Sequence, residues 1–204
     1  MATRTLLDPP SILSTERFPI TYLDPARLFR ISSYASGEPY FGRSGANRFD
    51  APGAHAGAPE FGACYLGQTL AVAIAESLLH DAEPIEGRYV VAEDSLLSRY
   101  VWRFSGSNLK LLALHGPLLK RLGGTAELSG TGDYGLTQRW AGAVFANPAN
   151  YDGFIYMSRH LNTGKAVVLF DRALARLIPG NPVRLVNAPG FGAAARALGI
   201  HGGP

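Results

Sequence analysis

Short apolar runs and apolar–polar alternation, bounded by glycine and proline, recur along most of the chain and are typical of β-strands. This pattern predicts strands at 28–33, 63–66, 88–92, 100–104, 109–114, 154–157, 166–170 and 183–186. Apolar residues at helical spacing predict helices at about 69–79, 117–122 and 137–146, and a short one in the alanine-rich tail from Gly190. Thr137 is expected in the cap region of the third helix. Because strands outnumber helices without alternating regularly with them, the pattern favours an α+β fold over a doubly wound sheet.

Two stretches lack such periodicity. Residues 1–24 are rich in proline and predict an extended lead-in. Residues 37–59 combine glycine, proline and alanine over a length that exceeds ordinary connections, which indicates a functional loop. At 204 residues the chain fits one domain, with 173–204 forming a C-terminal strand and tail.

Composition narrows the class of protein. With 47% hydrophobic and 17% charged residues, the chain has enough apolar content for a real core. The net charge of +3 is modest and the arginines are scattered, so direct nucleic-acid binding is not indicated. The single cysteine, Cys64, excludes an internal disulfide and is expected as a small core residue of a strand. Neither a signal pattern nor a run of transmembrane length is present, so we expect a cytoplasmic protein without membrane contact.

Familiar site motifs do not explain the chain. Glycine patterns at 130–135 and 190–195 lack the strand–turn–helix context of a dinucleotide fingerprint and are predicted to be turns. The five histidines show no metal-ligand spacing, so no metal site is predicted, and His80 and His160 are expected to be satisfied or surface residues. No Gly-x-Ser-x-Gly elbow supports a serine hydrolase.

Glu76 is the main candidate for a functional residue. It interrupts an apolar helical segment and falls just past the edge of the apolar arc, near His80. A solvated helix glutamate and a partly desolvated carboxylate in a cleft are equally compatible with that position. Arg30 and Arg48 can likewise be arginines with buried stems and solvated heads, and Ser158 can be an ordinary strand-end hydroxyl. Arg48, in a glycine-rich loop, can equally be a fork for a phosphate.

Taken in order, these residues resemble the RES domain, the toxin component of Xre–RES toxin–antitoxin pairs, over about residues 25–172. The matching segments are Phe29-Arg30, Arg48-Phe49-Asp50-x-Pro52-Gly53, Tyr65-Leu66, Ala71-x-x-x-Ala75-Glu76, Thr137-Gln138-Arg139-Trp140-Ala141 and Asp152-Gly153-Phe154-Ile155-Tyr156-x-Ser158-Arg159. The family's arginine loop often reads Gly-Arg-Trp-Asn. Here Phe49 keeps an aromatic surface, Asp50 adds a charge, and residues 54–61 lengthen the approach to Tyr65.

The resemblance implies an ADP-ribosyltransferase-like core of two packed β-sheets with flanking helices. It also implies NAD as a substrate, with no cofactor besides, whose nicotinamide–ribose bond is cleaved by hydrolysis or phosphorolysis so that cellular NAD is depleted. A protein ADP-ribosyltransferase and a non-catalytic nucleotide- or partner-binding module are the alternatives. An Xre-type helix-turn-helix antitoxin is the implied partner, and the residues leave open whether the chain also associates with itself.

The same resemblance assigns roles to individual residues. Glu76 would stabilise the oxocarbenium-like ribose and orient the attacking oxygen. Tyr65 would stack on the nicotinamide ring, and Ser158 would bind the ribose or fix Glu76. Arg30 and Arg48 would hold the pyrophosphate or an incoming phosphate, with Phe49 also at the NAD-binding loop.

Overall fold

The computed structural model describes residues 6–203, so the first five residues of the predicted lead-in lie outside the described part. Its strands are β1 Ile20–Leu23, β2 Phe29–Ser32, β3 Ala63–Gly67, β4 Tyr89–Ala92, β5 Tyr100–Gly106, β6 Leu109–Ala113, β7 Gly153–Met157, β8 Lys165–Phe170, β9 Leu177–Pro179, β10 Val183–Arg184 and β11 Ile200–Gly203. Its helices are α1 Ile12–Thr15, α2 Leu70–Ser77, α3 Glu93–Leu97, α4 Gly116–Arg121, α5 Glu127–Gly130, α6 Tyr134–Phe145 and α7 Phe191–Leu198. No helix in this part of the chain is long and apolar enough to cross a membrane.

Nine strands form one curled sheet. Eight follow the order β1-β6-β7-β8-β3-β2-β5-β10, and β9 pairs with β5 off this path. β6 and β7 pair in parallel, and the remaining neighbours in this sheet pair antiparallel. A separate parallel pair joins β4 to β11.

The curl brings the two halves of the sheet into contact through a shared core. Leu111 of β6 and Ile155 of β7 belong to the same buried cluster as Leu66 of β3, Trp102 of β5 and Phe104 of β5. Side chains on alternate positions of a strand face opposite sides, so the neighbouring residues of these strands pack against the helices instead. The α+β class and the packing of two strand layers with flanking helices are therefore confirmed, although hydrogen bonds link both layers into a single sheet.

The connection from β6 to β7 carries the helices that border the candidate site. A parallel pair requires a crossover, and this one contains α4, α5 and α6. From α6, Leu136, Trp140 and Val144 pack into the cluster that covers the outer face of β7 and β8. The crossover thus fixes the N-terminus of α6 beside the C-terminal end of β7.

Most predicted elements are confirmed within a few residues, and the differences have local causes. α6 begins at Tyr134 because the Asp133 side chain accepts from the Leu136 amide as N-cap, so the cap expected near Thr137 was wrong. The strand predicted at 183–186 pairs only at Val183–Arg184 before a 3-10 turn at Leu185–Asn187. The lead-in predicted as extended contains the short helix α1 and the strand β1, and β1 forms through its pairing with β6.

Candidate active site

Helix α2 positions Glu76. Thr69 caps the helix by accepting from the Val72 amide at 3.2 Å, and Ile74 is fully buried in the core. A Cβ on Gly67 would lie 2.5 Å from the Ala73 nitrogen, so the helix sits directly on the end of β3. With its apolar side anchored in this way, α2 presents partly exposed Glu76 to a surface cavity.

Two hydroxyls hold the Glu76 carboxylate. Ser158 Oγ donates to Oε1 at 2.5 Å, and Tyr156 OH donates to Oε2 at 3.1 Å. Both donors are buried, and Ser158 Oγ also accepts from the Leu161 amide at 3.0 Å. Burial and the adjacent Glu76 charge raise the pKa of Tyr156 well above its usual value, so this hydroxyl remains a donor. The hydrogen bonds from Ser158 and Tyr156 therefore fix the Glu76 carboxylate in one orientation.

Arg48 faces the same cavity from the loop between β2 and β3. Its guanidinium donates to the Thr131 carbonyl and lies 4.9 Å from the centre of the Tyr134 ring. Its own carbonyl accepts from Thr137 Oγ1 at 2.5 Å, and Gln138 of α6 donates to two further loop carbonyls. Burial lowers the pKa of Arg48, although a group with so high an ordinary value stays charged. The loop is thus locked against α6, with one cation aimed into the cavity.

Tyr65 ties the same loop to β3. Its hydroxyl donates to Asp50 Oδ1 at 3.0 Å and accepts from the Phe49 amide at 3.0 Å. Burial and the Asp50 carboxylate raise the pKa of Tyr65 well above its usual value. Because the Tyr65 hydroxyl already donates one hydrogen bond and accepts another, we take the partly buried ring as the part of Tyr65 that is available to a ligand in the cavity.

Phe49 and Asp50 lie beneath the cavity. Phe49 is fully buried, with its ring centre 4.8 Å from that of Tyr156 and 5.1 Å from that of Phe154. Asp50 is also fully buried and accepts from the amide and side chain of Asn47, each at 3.1 Å. The charge at Asp50 therefore organises the turn that carries Arg48.

Arg30 lies behind Tyr65. It forms an ion pair with the buried Glu38 and donates to the Tyr65 carbonyl at 3.2 Å. Together with Tyr65 and Glu76 it borders a small void of about 60 Å³ on the inner side of the site. In this arrangement its guanidinium supports the Tyr65 backbone, while Arg48 faces the larger opening.

The larger opening, which we call the Glu76 cavity, has a volume of about 480 Å³. Its lining comprises Ala46, Asn47, Arg48, Tyr65, Glu76, His80, Asp81, Tyr134, Tyr156, Arg159 and His160. This volume falls in the range of small-molecule sites, which are about 300–1,000 Å³. The lining holds two carboxylates, of which Asp81 is exposed and lies against His80, with its Oδ2 2.7 Å from His80 Nε2. Arg48 and Arg159 accompany Glu76 in the lining, so the cavity suits an anionic ligand that develops positive charge close to Glu76.

Sequence reasoning gave no role to Tyr156 or Arg159, which both line the cavity, and it expected His160 to be a satisfied or surface residue. Tyr156 and Ser158 lie two positions apart at the end of β7, so the strand period already put both hydroxyls on one face. Arg159 and His160 follow them in the next turn. Burial lowers the pKa of His160, with the Glu76 charge opposing that shift and Arg159 adding to it, so the imidazole is neutral near pH 7.

A model of the RES domain matches residues 25–186. No curated protein matches the chain. A chain of the crystal structure of the M. tuberculosis MbcT–MbcA toxin–antitoxin complex is similar in structure, with a TM-score of 0.54 and 15% identity over 83% of this chain and 88% of that one.

Proposed function

The chain belongs to the RES domain family, and from this premise we propose that it cleaves the nicotinamide–ribose bond of NAD at Glu76. The observation that carries the proposal is the Glu76 carboxylate, which two buried hydroxyls hold in the lining of a cavity that also contains Arg48. A carboxylate that is held in a fixed orientation in the lining of a cavity is preorganised to act on a bound ligand.

The chemistry needs little beyond that carboxylate. Nicotinamide leaves the ribose as a neutral molecule, taking the electron pair of the C1′–N1 bond, so it requires no general acid. The ribose develops oxocarbenium character, which a nearby negative charge stabilises. In hydrolysis, the oxygen of water bonds to C1′ and its proton passes to Glu76. In phosphorolysis, a phosphate oxygen forms that bond.

The surrounding residues act by holding the substrate and Glu76. Ser158 and Tyr156 keep both carboxylate oxygens pointing into the cavity. Arg48 binds the pyrophosphate or an incoming phosphate, since a guanidinium pairs with oxyanions through two parallel hydrogen bonds. The Tyr65 ring packs against nicotinamide, and Arg30 and Phe49 support this wall from behind.

The deciding experiment incubates the protein with NAD, with and without inorganic phosphate, and identifies the products by liquid chromatography and mass spectrometry. ADP-ribose indicates hydrolysis, and ADP-ribose 1″-phosphate indicates phosphorolysis. Labelled protein after addition of cell lysate and labelled NAD would instead indicate ADP-ribosylation. NAD that raises the melting temperature without release of nicotinamide would leave a binding module and refute the proposed reaction.

We extend the proposal to the biological role. The similar fold in a toxin–antitoxin complex, together with family membership, supports a toxin that depletes NAD and is held inactive by an Xre-type helix-turn-helix antitoxin. Expression of the wild-type chain should lower cellular NAD and arrest growth, whereas Glu76→Gln should do neither. Growth arrest by Glu76→Gln at equal protein level would separate toxicity from NAD cleavage.

A further inference from the structure

A second cavity of about 490 Å³ adjoins the Glu76 cavity. It lies between α4, α5 and the turn after β7, and Arg159 lines both cavities. Ser158, which holds Glu76, also borders it. The two openings are therefore neighbours that meet at the turn formed by Ser158 and Arg159.

The walls of this second cavity differ from those of the first. Leu114, Leu119 and Met157 give it a floor of carbon atoms, and Gly124 and Ala126 add small residues, while Lys120 and Glu127 supply charges in the same lining. The wall is preformed, because Ser129 Oγ of α5 donates to the Met157 carbonyl at 2.7 Å. A flat apolar ring fits such a slot better than a charged group does.

Arg159 supplies the charge between the cavities. Its side chain is exposed and forms no hydrogen bond or ion pair with any residue that the structure describes. A cation at the junction of two cavities can meet an anionic link between their occupants. NAD has this shape, since two nucleosides are joined by a pyrophosphate.

We propose that the second cavity binds the adenosine half of NAD, with Arg159 at the pyrophosphate. This inference rests on the proposed function, which assigns the nicotinamide half to Glu76 and so leaves adenosine for the neighbouring slot. Each cavity has a volume typical of sites for one small ligand group. The adenine ring lies on the carbon floor, and the phosphates lie across Arg159.

The test uses AMP, which contains the adenosine half and one phosphate but lacks the nicotinamide–ribose bond that Glu76 is proposed to cleave. Calorimetry should detect AMP binding to the wild-type protein and to Glu76→Gln alike. Ala126→Trp, at an exposed position of the wall, should fill the slot and weaken AMP binding by at least about tenfold. Asn162→Trp, at a second exposed position of the lining, should weaken AMP binding as well. Ala193→Trp, exposed on α7, is the matched control that should bind AMP normally.

Turnover provides the second readout. Ala126→Trp should lower kcat/KM for NAD by about tenfold through KM, with less than about twofold change for nicotinamide mononucleotide, which lacks adenosine. Absence of AMP binding to the wild type, or normal AMP binding by both tryptophan variants, overturns the inference. If those variants lose only binding of a partner protein, the cavity belongs to that partner. AMP binding that Ala126→Trp removes, in a protein that cleaves no NAD, keeps the adenosine site and refutes the proposed reaction alone.

Discussion

Replacement of Glu76 by glutamine isolates the charge of the proposed catalytic group. In the wild type, both carboxylate oxygens accept hydrogen bonds, from Ser158 and Tyr156. Glutamine has nearly the same shape but only one acceptor oxygen, so one of the two hydroxyls must rotate to accept from the new NH₂ group. The variant should keep the fold and the cavity while losing one negative charge.

The expected size of the effect follows from electrostatics. A ribose carbon in contact with the carboxylate lies about 4 Å from its charge, and near a protein surface the effective dielectric constant is about 20, which gives about 4 kcal/mol. Glu76 is partly exposed, so this surface value applies. Because the positive charge develops in the transition state, kcat should fall by about a thousandfold while KM changes less than about twofold.

The assay is nicotinamide release over a range of NAD concentrations, with the melting temperature measured on the same preparations. Glu93→Gln is the control, because Glu93 is exposed in the first turn of α3, away from the cavity lining. It should match the wild type in kcat and KM. If Glu76→Gln retains kcat within tenfold of the wild type, electrostatic stabilisation by Glu76 is refuted.

Four further predictions concern residues in and beneath the Glu76 cavity and, for His115, in the lining of the second cavity. Ser158→Ala should lower kcat by about tenfold, because one charge-assisted hydrogen bond to Glu76 is lost; an effect on KM alone would place the hydroxyl on the substrate. Arg48→Lys keeps the charge but loses the planar fork, so KM for NAD should rise about tenfold; a loss confined to kcat would assign Arg48 to the transition state. Phe49→Leu should reduce the free energy of unfolding in urea by about 1–3 kcal/mol without changing KM; a raised KM at unchanged stability would favour direct contact with NAD. Burial, assisted by Lys165, lowers the pKa of His115 below its unfolded value of about 6.5, so the unfolded chain binds more protons and stability falls as pH drops through that value toward the folded pKa. Between about pH 7.5 and 5.5, the melting temperature of His115→Asn should therefore decrease less than that of the wild type. An equal decrease in both proteins would contradict the burial argument.

The position of Glu76 illustrates what sequence could predict. Helical spacing gave the right helix and put Glu76 at the edge of its apolar side, but it left solvent and cleft equally open. The decision depends on Tyr156 and Ser158, which meet Glu76 only through the pairing of β7 in the curled sheet. Contacts between residues so distant in the chain are invisible to local periodicity.

The different environments of Arg30 and Arg48 could not be predicted from local sequence either. The resemblance to the RES domain assigned the same phosphate-binding role to Arg30 and Arg48, because both lie in segments that match the family. Only tertiary structure separates them, since Glu38 pairs with Arg30 whereas Arg48 faces the opening. Short elements such as β11, whose sequence is Ile-His-Gly-Gly, were missed because they form through pairing with β4 and not through their own propensity.

The distance along the chain between Glu76 and its hydroxyl donors has a consequence for synthesis. Tyr156 and Ser158 follow Glu76 by 80 and 82 residues, so a nascent chain that has completed α2 still lacks both donors. Tyr156 and Ser158 reach the Glu76 carboxylate only when β7 pairs with β6 and β8. Both β7 and β8 are translated after α2. The chain thus carries an unoriented carboxylate while the 82 residues up to Ser158 are added, and activity of the proposed kind begins only after β7 has formed its pairs. An antitoxin that binds the finished fold would therefore have no earlier active species to neutralise.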